Sequence, residues 1–307
     1  MSLLKVNGLS VEFTQYISLL RQKRLQVIHN LELSVAAGEV VAVIGSSGSG
    51  KSILAHAVLG ILPSNAHVSG SIYLDGEELT PSKQVKLRGS EIALVPQSVQ
   101  YLDPLMRVGQ QVRYAVKTED PVKTQRGIFK RYGLKAEVER MFPFQLSGGM
   151  ARRVLVSTAT VSGARLVIAD EPTPGLDAAS IKEALGQLRE LADQGCAVML
   201  ITHDIESALT IADRIAVLYA GTTVEIASAE DFRGNGEQLR HPYTKAMWKA
   251  LPHNDFVPIP GSQPLAGAMP TGCAFAPRCS LATKACTEGL PDAREIRGGM
   301  VRCIHAS

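Results

Sequence analysis

The 307-residue sequence contains no apolar run approaching the ~18 to 20 residues that span a bilayer, so a chain that does not itself cross a membrane is expected. Its first residues, Met1-Ser2-Leu3-Leu4-Lys5-Val6, lack the basic start and long apolar core of a secretory signal. A cytosolic protein is therefore expected, in a compartment that keeps thiols reduced. Charge of neither sign dominates: 32 Lys and Arg against 29 Asp and Glu leave +3, too little to argue for nucleic acid as a partner. Long coiled-coil patterns, internal repeats and low-complexity tracts are missing. Tryptophan occurs once and cysteine five times, with four of the cysteines in the last 35 residues. The remainder, 45% hydrophobic and 20% charged, is ordinary for a globular chain that can bury one large core or two modest ones.

Alternation of strand and helix patterns organises the first 230 residues. Short β-rich runs at Leu9–Phe13 and Leu31–Val35 precede Val40–Ile44, a continuous apolar run that reads as a buried parallel strand. A helix from Lys51 to Leu62, a strand Ser71–Gly76 entering a tight turn and a strand Glu91–Val95 follow. From about 101 to 161 the β pattern gives way to helical stretches, including Lys135 to Met141 and Gly149 to Thr160. Strands then return at Leu166–Ala169, Val198–Ile201 and Ile215–Leu218, the first two separated by a helix from Ala178 to Gln194. This order predicts an α/β parallel sheet with crossover helices and an inserted helical subdomain. Beyond about residue 230 the composition shifts to Pro, Gly and Cys, which marks 231–307 as a C-terminal extension.

Gly45-Ser46-Ser47-Gly48-Ser49-Gly50-Lys51-Ser52 fits the phosphate-loop pattern G-x-x-x-x-G-K-[ST], with a strand leading in and a helix leading out. Glycines let successive backbone N–H groups turn toward phosphate oxygens at a helix N-terminus, whose dipole favours anions. Lys51 should reach the β- and γ-phosphates, and the Ser52 hydroxyl should ligate Mg²⁺. Average residue frequencies give such a pattern in about 1% of chains this long, before the strand–loop–helix setting is counted. The apolar strand Leu166–Ala169 ends in Asp170-Glu171, where an open α/β sheet binds its ligand. Asp170 suits the Mg²⁺ coordination sphere, and Glu171 suits a base for the attacking water. Gln97, also a candidate Mg²⁺ and γ-phosphate group, and His203 end two further strands. Parallel strands point their carboxyl ends one way, so both should converge on the same site.

Leu146-Ser147-Gly148-Gly149-Met150 closely resembles the L-S-G-G-Q signature of ABC ATPases, with Met in the final place. The order phosphate loop, Gln97, signature, acidic strand, Gly175-Leu176-Asp177 as D-loop and His203 as switch histidine is similar to that family throughout. The resemblance implies a RecA-like ATPase core with an antiparallel β subdomain, and a head-to-tail dimer with two ATP molecules between two such domains. Ser147, Gly148, Gly149 and Asp177 of one subunit then serve the ATP held by the other. An aromatic residue near the N-terminus stacks on adenine in the family; alignment selects Phe13, with Tyr16 as the alternative. ABC ATPases that act on DNA or ribosomes, and exporter subunits, are the rival classes. The features of the former, coiled coils, tandem domains or a basic surface, are lacking here.

The tail narrows the branch. His241-Pro242-Tyr243-Thr244-Lys245-Ala246 and Gly272-Cys273-Ala274-Phe275-Ala276-Pro277-Arg278-Cys279 look like the tails of ATPase subunits of oligopeptide, dipeptide and nickel importers. That resemblance implies two membrane permease subunits, a second and paralogous ATPase subunit, and an external solute-binding protein, with the chain peripheral at the cytoplasmic face. Peptides are the expected cargo and nickel or a metal–chelator complex the alternative. Cys273, Cys279, Cys286 and Cys303 are spaced C-x₅-C-x₆-C-x₁₆-C, without the tight C-x₂₋₄-C pairs usual for zinc. Members of this family that share the tail bind a four-iron cluster with cysteines at these positions, so a [4Fe-4S] cluster is expected, with zinc and free thiols as alternatives. Cys196, between a helix-ending glycine and a buried strand, reads as core.

Overall fold

The computed structural model describes residues 2–18 and 21–306. In chain order the elements are β1 (Ser2–Ser18), β2 (Arg21–Ala36), β3 (Val40–Ile44), α1 (Lys51–Leu59), β4 (Ala66–Leu74), β5 (Glu77–Glu78), α2 (Pro81–Leu87), β6 (Ile92–Val95), α3 (Val108–Ala115), α4 (Pro121–Arg131), α5 (Gly148–Val161), β7 (Leu166–Asp170), α6 (Ala178–Asp193), β8 (Ala197–Thr202), α7 (Ile205–Leu209), β9 (Arg214–Tyr219), β10 (Thr222–Ser228), α8 (Pro242–Lys249), α9 (Ala285–Glu288), β11 (Arg294–Ile296) and β12 (Gly299–Val301).

The strands form an eight-stranded sheet in the order β11-β12-β10-β9-β3-β8-β7-β6 and a four-stranded antiparallel sheet in the order β2-β1-β4-β5. The five strands from β9 to β6 are parallel. Their apolar runs are continuous because both faces are covered. Val40, Ala42 and Ile44 of β3 enter the core shared with the helical insertion, whereas Val41 and Val43 enter a second core beneath the antiparallel sheet. That alternation is the two-residue period of a strand applied to two apolar layers at once.

The helical insertion lies between β6 and β7 and buries Val108, Val112, Phe129 and Val154. The expected helix from Lys135 to Met141 is instead a single 3-10 turn, Ala136–Arg140. Gly133, at φ 63, and Pro143 bracket the segment and leave no room for more turns. Glu139 holds the turn in place through ion pairs to Arg113 at 3.1 Å and Arg126 at 2.8 Å.

The tail is built into the main sheet. Strand β12 pairs antiparallel with β10, and Leu239, Tyr243, Trp248 and Phe275 belong to the core shared with the helical insertion. Arg240 fastens it: its Nη1 faces the fully buried Glu225 at 3.3 Å and Asp231 at 2.9 Å, while Nε and Nη2 donate to the carbonyls of Ile296 and Arg297. Glu225 also accepts the backbone N–H groups of Arg240 and His241, so β10 grips the tail through one carboxylate. Breaking such a buried pair leaves an uncompensated charge. Arg240→Ala is therefore expected to destabilise the protein by about 3–5 kcal/mol, read as a lowered urea midpoint.

Candidate active site

Parallel β3, β6, β7 and β8 carry their following loops to one edge, where a cavity of about 500 Å³ opens. Ser47 to Ile53, Val27, Gln97, Glu171 and His203 line it. Of the residues expected there, Ser47 to Ser52, Gln97, Glu171 and His203 come together from four segments far apart in the chain. The loop from Gly45 to Gly50 owes its path to glycine at both ends. A side chain at Gly45 would stand 2.3 Å from the Leu218 carbonyl oxygen, and Gly50 enters α1 at φ 94, a left-handed conformation.

Lys51 is buried at the start of α1, and its Nζ donates to the carbonyls of Gly45 at 2.8 Å and Ser46 at 3.2 Å. Burial lowers its pKa, with the carboxylates of Glu171 and Asp170 opposing that shift. The next hydroxyl, Ser52, donates to Asp170 Oδ1 at 3.2 Å, which joins the two expected Mg²⁺ groups from α1 and β7. Burial pushes the Asp170 carboxyl above its ordinary pKa, against the Ser52 hydrogen bond. A hydroxyl and a buried carboxylate side by side are hard oxygen donors of the kind Mg²⁺ takes. Glu171 has a positive φ of 48, strained for a non-glycine residue, and its N–H donates to Ile201 O at 2.9 Å. That turn brings both carboxylate oxygens to His203 Nδ1 at 3.0 and 2.9 Å. Gln97 sits exposed at the mouth of the cavity.

Three expected groups lie elsewhere. Ser147 caps α5 by accepting the Met150 N–H at 3.2 Å, and neither it nor Gly148 and Gly149 lines the cavity. Met150 itself packs against the main core, which accounts for an apolar side chain at the signature's last place. Asp177 caps α6, accepting from the N–H and hydroxyl of Ser180 at 3.0 and 2.7 Å, and the N–H contact lowers its pKa. Phe13 is half-buried against the core beneath the antiparallel sheet, Tyr16 is largely exposed, and neither lines the cavity. Apolar side chains that do line it are Val27 on β2 and Ile53 on α1, neither of which the sequence singled out.

Arg152 was also missed. It is buried on α5, and its guanidinium donates to the carbonyls of Pro96 at 2.7 Å and Gln97 at 2.9 Å. One side chain therefore ties the signature helix to the Gln97 turn. A buried arginine is an unusual placement for that residue type, and because the burial belongs to the fold, the sequence alone carried no signal for it.

In the tail, Cys273, Cys279, Cys286 and Cys303 line one small cavity of about 10 Å³ together with His241 and His305. Burial raises the Cys273 and Cys303 thiols, and the neighbouring cysteines add to the rise. Among the described residues no group of three or more His, Cys, Asp or Glu side chains is arranged to hold a single metal ion. His241 caps α8, its Nδ1 accepting the Tyr243 N–H at 3.0 Å. The proton of this neutral imidazole therefore lies on Nε2, a buried atom without a hydrogen-bond partner among the described residues. Cys196 stays apart, its thiol pushed up to about 11 by burial and directed at the carbonyls of Ala164 and Arg165.

A phosphate loop, a strand-end acidic pair and a separate Ser-Gly-Gly helix start, all on a RecA-like sheet with a helical insertion, define an ABC-type ATPase. Residues 28–174 match the ABC transporter family, and residues 224–286 match the oligopeptide/dipeptide transporter C-terminal region. The chain is 32% identical to the oligopeptide transport ATP-binding protein OppD of Escherichia coli (strain K12) over 90% of its own length and 86% of that protein's. It is 34% identical to the dipeptide transport ATP-binding protein DppD of Haemophilus influenzae, over 99% of its own length and 95% of that protein's. A dimeric ATP-binding cassette solved in a post-hydrolysis state with ADP and phosphate superimposes with a TM-score of 0.64 at 25% identity, covering 75% of this chain and 99% of that one. The chain belongs to the family of oligopeptide and dipeptide transport ATP-binding subunits of ABC transporters.

Proposed function

We propose that this chain binds MgATP at the Lys51 cavity and hydrolyses it to power uptake of small peptides through separate membrane subunits. The observation that carries the reading is the convergence of Lys51, the Ser52–Asp170 pair, the Glu171–His203 pair and Gln97 around one opening. Lys51 and the loop N–H groups hold the phosphates. Ser52, Asp170 and Gln97 hold the Mg²⁺ that accompanies ATP and offsets its phosphate charge. Glu171, oriented by His203, takes the proton of the attacking water. The adenine lies toward Val27, with Phe13 on the neighbouring strand.

The signature Ser147-Gly148-Gly149 stands outside this cavity with its helix N-terminus exposed, an arrangement that suits a second subunit's ATP and a head-to-tail pairing with a paralogous ATPase. Asp177 joins it at that interface. Arg152 then carries changes at the signature helix to the Gln97 turn and the helical insertion, the surface that docks on two permeases at the cytoplasmic face of the membrane. A solute-binding protein on the other side selects the cargo. Purified with its permeases in lipid nanodiscs, the complex should hydrolyse ATP faster when peptide-loaded binding protein is added. Unchanged turnover would refute peptide uptake.

We also propose that Cys273, Cys279, Cys286 and Cys303 hold a [4Fe-4S] cluster. In such a cluster each thiolate bonds a different iron, so the four need only ring one cavity rather than meet at one ion. The His241 Nε2–H beside that cavity supplies a donor without an acceptor among the described residues, of the kind that hydrogen-bonds cluster sulfur. When bound, the cluster supplies a covalent crosslink for an irregular segment and a one-electron centre. Anaerobically purified protein is expected to be brown, absorb near ~400 nm and carry about four irons per chain. Zinc in place of iron, or neither metal, in an anaerobic preparation would sink this assignment.

A further inference from the structure

The tail does more than decorate the sheet edge: it reaches the phosphate loop. Beyond α8 the chain crosses the loop's outer side, and Gln263 Oε1 accepts hydrogen bonds from Ser46 Oγ at 2.5 Å and from the Ala220 N–H at 3.3 Å. Its amide nitrogen lies beside Gly48. Burial raises the pKa of the Tyr243 phenol on α8, and the side chain and main chain of the same Ser46 oppose that rise.

This crossing segment is fastened on both sides of Gln263. Before it, Arg278 donates to the carbonyls of Ile259 at 3.2 Å and Pro260 at 2.7 Å. After it, Gly267 packs beside Lys23 and Leu25 of β2. Arg278 in turn donates to the Tyr219 hydroxyl at 3.1 Å. Phe275, between Cys273 and Cys279, packs on Tyr219 and Tyr243 with ring centroids 5.4 and 5.3 Å away. The cysteine cavity and Ser46 are thus two ends of one packed aromatic and hydrogen-bonded unit.

The loop leans on β9 and the turn after it at two further points, Gly45 against Leu218 O and the Gly221 N–H donating to Ser49 O at 3.2 Å. Gln263 bridges the same two pieces from outside. A loop that binds phosphate through backbone N–H groups needs those groups aimed before the ligand arrives, because ordering them on binding subtracts from affinity. We infer that Gln263 is a positioning residue for the phosphate loop, through which the tail sets nucleotide affinity. The inference rests on the ATP-site reading above.

The test uses the full chain with MgADP and MgATP, and the variant Gln263→Met, which keeps the length and packing of the side chain but removes the acceptor. One hydrogen bond of ordinary strength corresponds to about threefold to tenfold in Kd, and weakening of that size is expected. Hydrogen exchange should speed up at residues 45–50 and at Ala220, with the 272–286 segment unchanged. In a Ser46→Ala background, Gln263→Met should have little additional effect, since the bond is already lost. That non-additivity separates positioning of this loop from a general loosening of the tail. Equal nucleotide affinity in the parent and Gln263→Met, or a full additive loss in the Ser46→Ala background, would overturn the inference alone. Failure of the unmutated chain to bind nucleotide would overturn the ATP-site reading and the inference together.

Discussion

Lys51→Ala is expected to raise the Kd for MgATP by about 10²- to 10⁴-fold. Two charge-assisted hydrogen bonds to phosphate, at about 1.5–3 kcal/mol each, set that range. A second effect acts in the same variant. The ammonium donates to the Gly45 and Ser46 carbonyls, so its removal strips two acceptors of their donor. Ser46 is exposed, so its carbonyl can turn to water, whereas Gly45 is buried, and the folding cost falls within the usual ~1–3 kcal/mol. Binding is therefore lost well before folding. Isothermal titration should show no saturable MgATP binding at micromolar nucleotide, while the thermal unfolding midpoint falls by a few degrees. Affinity within about threefold of the parent would show that the loop N–H groups, rather than Lys51, carry phosphate recognition.

The phosphate loop was legible because its chemistry is local: eight consecutive residues, Gly45 to Ser52, fix both the turn and the donors. The acidic pair was legible for a related reason. Strand β7 is apolar throughout until Asp170, so the charges announce the strand's end and hence the ligand-binding edge of the sheet. Arg152 was not legible, because its worth depends on two carbonyls 55 and 56 residues earlier that only the folded insertion brings near. Long-range packing also decided the tail. Its composition marks a departure from the α/β pattern, yet Glu225 and Arg240 stitch it back into the sheet, and neither residue forms part of a recognisable pattern. The antiparallel sheet was under-read for another reason: β1 and β2 run for 17 and 16 residues, far past their apolar stretches. Backbone pairing, including Phe13 with Leu25 and Tyr16 with Gln22, extends the ribbon where side-chain alternation has already faded.

Glu171→Gln is expected to leave MgATP affinity within a few-fold of the parent and to lower turnover in the assembled complex by about 10²- to 10⁴-fold, the range of a lost general base. The variant is informative because nearly everything else about the position is preserved. Glutamine has the same length and can still accept one hydrogen bond from His203, which now meets both carboxylate oxygens at 3.0 and 2.9 Å. The strained backbone, at φ 48 and anchored by the N–H to Ile201 O, is common to both residues, so its cost cancels. Lys51 loses one of the two carboxylates that oppose the lowering of its pKa, but Asp170 remains. What disappears is the basic oxygen able to take a proton from water. The complex should then bind ATP, close and stay closed, so single-turnover chemistry slows while nucleotide remains occluded. Rapid-quench measurement of phosphate formation, alongside a filter assay for retained ATP, reads the two quantities separately. Hydrolysis at the unmutated rate would remove Glu171 from the role of base. A parallel collapse of ATP binding would instead assign it to holding the nucleotide.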